Sequence, residues 1–156
     1  MLRVSRLTDY GTMIMSHMAR SPDQLFSAAD LAATLGLGAP TVAKVLKVLA
    51  RGELVNGVRG LRGGYALARS PEQITVADIV DVLEERPFGL TECSTVDGLC
   101  DIEDVCGVRA NWRLISDIVR RGLESVTLAE MARPMPLPAE ARIGVESLRS
   151  NRSVRR

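Results

Sequence analysis

The stretch Gly38-Ala39-Pro40-Thr41-Val42-Ala43-Lys44-Val45-Leu46-Lys47-Val48-Leu49-Ala50-Arg51-Gly52, with Val58-Arg59-Gly60-Leu61-Arg62-Gly63-Gly64-Tyr65-Ala66-Leu67 behind it, decides the fold. Val42, Val45, Leu46 and Leu49 recur at helical spacing and form an inner stripe. Pro40 suits the first turn of a helix, where an amide hydrogen has no partner, and Gly52 stops it. Thr41, Lys44, Lys47 and Arg51 fall on the opposite, outer face. Leu54-Val55 and the following residues form two short extended pieces around a glycine-rich turn, which predicts a β-hairpin with Arg59 and Arg62 near its tip.

Upstream, Leu7, Tyr10, Ile14 and Met18 make the stripe of a first helix, with Thr8 or Ser5 as its cap and Ser21-Pro22-Asp23 as its end. Ser27 with Asp30 resembles a capping box opening a short helix whose apolar face is Leu31 and Leu35 and whose stop is Gly36. Helix, helix, turn, helix, hairpin is the order of a winged helix-turn-helix, and the class expected is mainly α. Downstream, Ser70-Pro71 breaks the chain and Thr75 with Asp78 offers a second capping box. Ile74, Ala77, Ile79, Val80 and Leu83 then predict a helix to about Glu85. Residues 86–107 carry glycines, acids and all three cysteines, which suggests a loop. A long helix follows from about Val108 to Ser125, with Trp112, Ile115, Ile118, Val119 and Val126 on one side, and Thr127 caps a last turn through Met131. The division expected is a winged helix-turn-helix domain over 1–70, a cysteine loop with further helices over 71–132, and a Pro/Arg-rich flexible tail over 133–156.

The chain has 156 residues with a net charge of +1, 46% hydrophobic and 25% charged, an ordinary globular composition. Charge distribution says more than the total. Residues 1–70 hold nine Lys/Arg against four Asp/Glu, residues 71–107 one Arg against ten acids, and residues 108–156 ten Arg against five acids. A basic amino-terminal block beside an acidic, cysteine-bearing one points to a polyanion-binding module joined to something else. Between residues 39 and 69, six cations face a single acid, Glu53. Cations on the outer face of a helix after a tight turn suit phosphates and base edges in a major groove, and an arginine at a hairpin tip suits the negative potential of a minor groove. A solvated helix face is the plainer reading of the same charges, and their place in this element order favours DNA. The absence of a signal-peptide core or long apolar run, with three cysteines that cannot pair evenly, predicts a cytoplasmic protein with no membrane partner.

Cys93, Cys100 and Cys106 are spaced C-x6-C-x5-C within one polar segment. Thiolates are ligands of iron–sulfur clusters and of structural zinc, and the short cysteine pairs usual for zinc are missing. Three unrelated buried thiols would be the bland alternative. A fourth ligand is not evident. Arg109, three residues after Cys106, cannot coordinate, and His17 on the first helix suits a surface place. Asp9 would serve if a second subunit brought it near, although it also suits the helix dipole. Glu92, Asp101, Glu103 and Asp104 are nearer in sequence and are expected to be mostly solvated. One histidine and no phosphate-binding loop leave no parts for a catalytic triad or a nucleotide fold, so no enzyme is expected.

Leu7-Thr8-Asp9-Tyr10, the hairpin from Val58-Arg59-Gly60 to Gly63-Gly64-Tyr65, and the three-cysteine loop together resemble the IscR/NsrR family of iron–sulfur transcription regulators. Leu90-Thr91-Glu92-Cys93-Ser94, Asn111-Trp112 and Val126-Thr127-Leu128-Ala129-Glu130-Met131-Ala132 are most similar to the branch that regulates SUF cluster assembly. The resemblance spans about residues 1–132. It implies a homodimer joined through long crossing helices and bound to a palindromic operator in double-stranded DNA. Thr41, Lys44 and Lys47 would enter the major groove and Arg59 the minor groove. Cys93, Cys100 and Cys106 would hold the cluster, with 2Fe-2S favoured and 4Fe-4S the alternative. IscR-like members use a histidine where this chain has Arg109. NsrR-like members use an aspartate on the partner's first helix, the place that Asp9 matches. The first cysteine gap is one residue longer than in IscR. The function expected is a cluster-sensing repressor of cluster-assembly genes. Its rivals are a cluster-less or zinc-bound regulator working through a protein partner, and a small iron–sulfur carrier.

Overall fold

The computed structural model describes residues 4–60, 63–84, 88–96, 98 and 100–133. Helix α1 covers Arg6–Met18, α2 Ala28–Leu35 and α3 Ala39–Arg51. Strands β1 (Val55–Val58) and β2 (Gly64–Leu67) follow. A 3-10 turn at Pro71–Gln73 leads into α4, Val76–Glu84. The remaining helices are α5 (Glu92–Thr95), α6 (Arg109–Glu124) and α7 (Leu128–Ala132). This is a mainly helical winged helix-turn-helix with one two-stranded sheet.

Local chemistry sets the helix ends. Ser5 Oγ accepts from the amide of Thr8 at 3.2 Å, and Ser27 Oγ from the amide of Asp30 at 3.0 Å, so each satisfies one orphan donor of a first turn. Of the two caps expected for α1, the structure uses Ser5. Gly36 ends α2 with φ +67, a left-handed conformation that costs glycine nothing. Thr75 and Asp78 form the reciprocal box, with bonds of 2.9 and 3.2 Å.

The core gathers around α3. Val42, Val45, Leu46 and Leu49 are fully buried with Ile14, Met15 and Met18 of α1 and Leu31 of α2. Ile74, Ile79 and Leu83 join the same cluster, as does Leu128 of α7, so the apolar centre draws on both sides of residue 70. Gly11 of α1 lies directly on the Leu83 side chain, leaving no room for a Cβ. The amide of Leu128 reaches Ile74 O at 2.7 Å and that of Val76 reaches Val126 O at 2.9 Å, which returns the chain after α6 to the foot of α4.

The hairpin pairs Val55 with Leu67 and Val58 with Gly64 in antiparallel register. Strand β2 is flanked near the tip end by Phe26, which exchanges backbone bonds of 2.9 and 2.8 Å with Tyr65. His17, expected at the surface, is half-buried and stands edge-on to the Phe26 ring at 5.6 Å. Its role is packing.

The segment expected to be a plain loop contains structure. Helix α5 is one turn, stabilised by Ser94 Oγ accepting from the amide of Thr91 at 2.9 Å, and Glu103–Val105 forms a 3-10 turn. Elements of three or four residues are too short to show a period. Among the described residues α6 is the longest helix, about 24 Å at 1.5 Å per residue.

Candidate nucleic-acid interface and cysteine loop

Helix α3 presents Lys44, Lys47 and Arg51 to solvent, with Thr41 half-buried at its first turn. The i, i+3, i+7 spacing keeps the three cations within one face, because 3.6 residues complete a turn. The fully buried stripe on the other side fixes which face points out. Arg59 is exposed just beyond β1, beside Gly60 at φ +122. Arg62 lies outside the described residues. Among the described residues no ion pair engages Lys44, Lys47, Arg51 or Arg59, so this charge is available to an external polyanion.

The first turn of α1 is tied to the end of α4. Glu84 accepts from Thr8 Oγ1 at 2.5 Å and from the amide of Ser5 at 3.2 Å. Partial burial alone would raise the Glu84 pKa, yet the bonds from Thr8 and Ser5 outweigh it and hold the carboxyl below its ordinary value. Asp9, the next residue along α1, is exposed. It is free of the Glu84 clasp and open to anything approaching from outside.

All three cysteines are free thiols. Cys93 is buried in α5, with its Sγ 3.4 Å from Thr91 Oγ1, while Cys100 and Cys106 are half-buried. The donor chemistry suits a thiolate-held iron–sulfur group. Among the described residues, no three His, Cys, Asp or Glu side chains converge closely enough for one metal ion. Ser116, the one buried residue of α6, bonds the amide of Leu90 at 3.1 Å and Ser94 Oγ at 3.1 Å, which seats α5 on α6.

Glu103 departs most from sequence expectation. It is not solvated but 7% exposed, and it pairs with Arg109 at close range, with Arg113 at 4.0 Å and with the amide of Gly98 at 2.6 Å. The hint available in the sequence was Arg109 itself, an arginine six residues after a carboxylate in an acidic loop.

Helix α6 is clamped to α4 farther along. Arg120 reaches both oxygens of Asp81 at 3.0 and 2.7 Å and Glu124 Oε1 at 2.9 Å. The bonds to Asp81 raise the guanidinium pKa beyond its already high value. The other side of α6 is apolar and uncovered: Trp112 is 41% exposed and Ile118 56%, with Val108, Leu114 and Ile115 exposed alongside. Val119, expected on the same side, is half-buried. No helix among the described residues is long and apolar enough to cross a membrane.

Comparison with known proteins agrees with this anatomy. The profile of the Rrf2 family, described as iron-dependent transcriptional regulators, matches residues 4–134. BadM of Rhodopseudomonas palustris, an HTH-type protein by name, is 30% identical over 130 residues, covering 83% of this chain and 81% of BadM. The structure of CymR, the global cysteine regulator of B. subtilis, superposes with a TM-score of 0.67 at 29% identity, covering 87% of this chain and all of CymR. IscR of T. potens gives 0.64 at 29% identity, covering 90% of this chain and 96% of IscR. The chain belongs to the Rrf2 family and is a DNA-binding transcription regulator rather than an enzyme.

Proposed function

We propose that the protein is a homodimeric repressor of cluster-assembly genes whose hold on a palindromic operator responds to an iron–sulfur cluster. The observation that carries this reading is the position of the three free thiols. They occupy the single segment running from α4, packed into the reading head, to α6, whose apolar side is uncovered. Cys93, Cys100 and Cys106 would hold the cluster, 2Fe-2S by preference and 4Fe-4S as the alternative, and the partner subunit's Asp9 would complete it. When bound, such a group supplies redox and ligand-exchange chemistry at thiolate-held iron.

The protein's own residues do the rest. Thr41, Lys44, Lys47 and Arg51 would contact phosphates and base edges in the major groove, with Arg59 and Arg62 in the minor groove. Trp112, Ile115 and Ile118 would pack against a second copy and so set the distance between heads, which must match the half-site spacing of the operator. A change at the root of α6 alters regulation only to the extent that it favours one spacing over another.

The test is anaerobic purification followed by visible absorption, iron and acid-labile sulfide counts per chain, and operator binding with and without the cluster. Stoichiometric sulfide, lost in the Cys93→Ala, Cys100→Ala and Cys106→Ala variants together with cluster-dependent DNA binding, is expected. The slope of log affinity against log salt should be steep and become shallower by about one when Lys44 is replaced by Ala. A second reading draws on the similarity to the cysteine regulator CymR: a cluster-less regulator acting through a protein partner. It predicts unchanged DNA regulation in the triple Ala variant.

A further inference from the structure

The cysteine loop is built around a carboxylate. Glu103 Oε1 faces Arg109 and Arg113, from the first two turns of α6, while Oε2 accepts from the amide of Gly98 at 2.6 Å. Arg113 also donates through Nε to Cys93 O at 3.3 Å. The group thus ties together the α5 side of the loop, the turn at residue 98 and the 3-10 turn, all onto one helix. Gly98 has φ +84, the left-handed region where a side chain would be strained, and this backbone shape carries its amide to the carboxylate. Burying a carboxylate to 7% exposure is costly unless it is paired and hydrogen-bonded. Here every one of its partners belongs to the loop or to the root of α6.

We propose that Glu103 is the positioning residue of the cysteine loop, holding Gly98 and residues 100–106 folded on α6 before any metal arrives. The thiols of Cys100 and Cys106, which flank it by three residues on each side, are then carried on a preformed backbone. Loading with metal need only draw side chains together. Arg109 pairs with Glu103 and has no lone pair to offer a metal, so it is no donor at the place three residues after Cys106.

The first test needs no metal. Hydrogen exchange of the metal-free full-length protein should show protection at the Gly98 amide and across 100–106. In Glu103→Gln, exchange there should rise about tenfold or more, the scale set by losing a hydrogen bond to a charged group, with α3 amides unchanged. Arg109→Gln should act alike, and the double variant should be little worse than either single one, because both remove the same pair. An unprotected wild-type loop overturns the proposal. So does Glu103→Gln exchanging like wild type, or an acceleration shared equally by α3.

A second arm rests on the cluster reading above and uses cobalt(II) alone as the probe. Wild type should show thiolate-to-cobalt absorption and Glu103→Gln should need more cobalt to reach it, whereas equal titrations would remove the positioning role. Protection lost in Glu103→Gln without thiolate–cobalt absorption in any form would leave the loop latch standing and count against the metal site.

Discussion

Among the described residues α3 and α6 are the two long cationic helices, and they are built in opposite ways. Helix α3 buries five apolar side chains, Val42, Val45, Leu46, Val48 and Leu49, and sends its charges to solvent. Helix α6 buries a single residue, Ser116, attaches to its own chain through Arg120, Arg109 and Arg113, and sends apolar side chains outward. The head is therefore complete within one copy: its inner surface is filled and its outer surface awaits a polyanion. Helix α4 and helix α7 join the same core, but α6 is attached by polar contacts and leaves its apolar surface for something else to cover.

The contrast can be broken at its strongest point first. Leu46→Ala in the head should cost about 2–5 kcal/mol, because a fully buried leucine leaves a cavity against α1 and α2. Urea unfolding measures this, and a loss well under 1 kcal/mol would show that the head is not the rigid half. Ile115→Glu with Ile118→Glu should leave the urea midpoint of the isolated chain nearly unchanged while abolishing self-association in sedimentation. Affinity for a two-half-site operator should then fall by about a hundredfold, since linked heads lose their effective concentration. If the variant unfolds instead, α6 is an inner element and the contrast fails.

The smallest effect sharpens the junction between the halves. Thr8→Val keeps the shape of a buried side chain and removes the strongest bond to Glu84. The Glu84 carboxyl lies below its ordinary value in the folded protein, so the unfolded chain binds the proton more readily. Its stabilising contribution is full above the unfolded value, near pH 4.5, and fades as pH drops through the folded value. Wild type should exceed Thr8→Val at neutral pH by under about 1 kcal/mol, because the carboxylate is largely in water, and the gap should close in acid. A gap constant from pH 7 to pH 3 would separate the threonine from Glu84.

What could be read beforehand divides along the same line. The helices of the head announce themselves by residues that act within one turn: Ser27 and Gly36 around α2, Pro40 and Gly52 around α3, and the apolar period between them. The cationic face needed nothing more than that period. The cysteine loop was legible as composition, through three cysteines and many acids, but its architecture was not. Glu103 looks like any member of an acidic run until Arg109 and Arg113 stand above it, and that arrangement depends on how α6 begins. Likewise the uncovered side of α6 was visible as a stripe, yet a stripe does not tell whether its own chain or another covers it. His17 shows the converse error, where a polar residue near a helix end packs against a ring from the next connector.

The bridge between Phe26 and Tyr65 bears on the role proposed for Arg59. Gly64, at the start of β2, lies so close to the Phe26 carbonyl that a Cβ would stand 2.8 Å from its oxygen, and the two strands are thereby sewn to the α1–α2 connector. Backbone freedom that a bare hairpin would surrender on meeting DNA has been surrendered already, when the chain folds. In its proposed role Arg59 would still give up the rotation of its own side chain. The strands beneath it would then add little ordering entropy to binding, and the width of a groove would be felt by one flexible side chain on a stiff support.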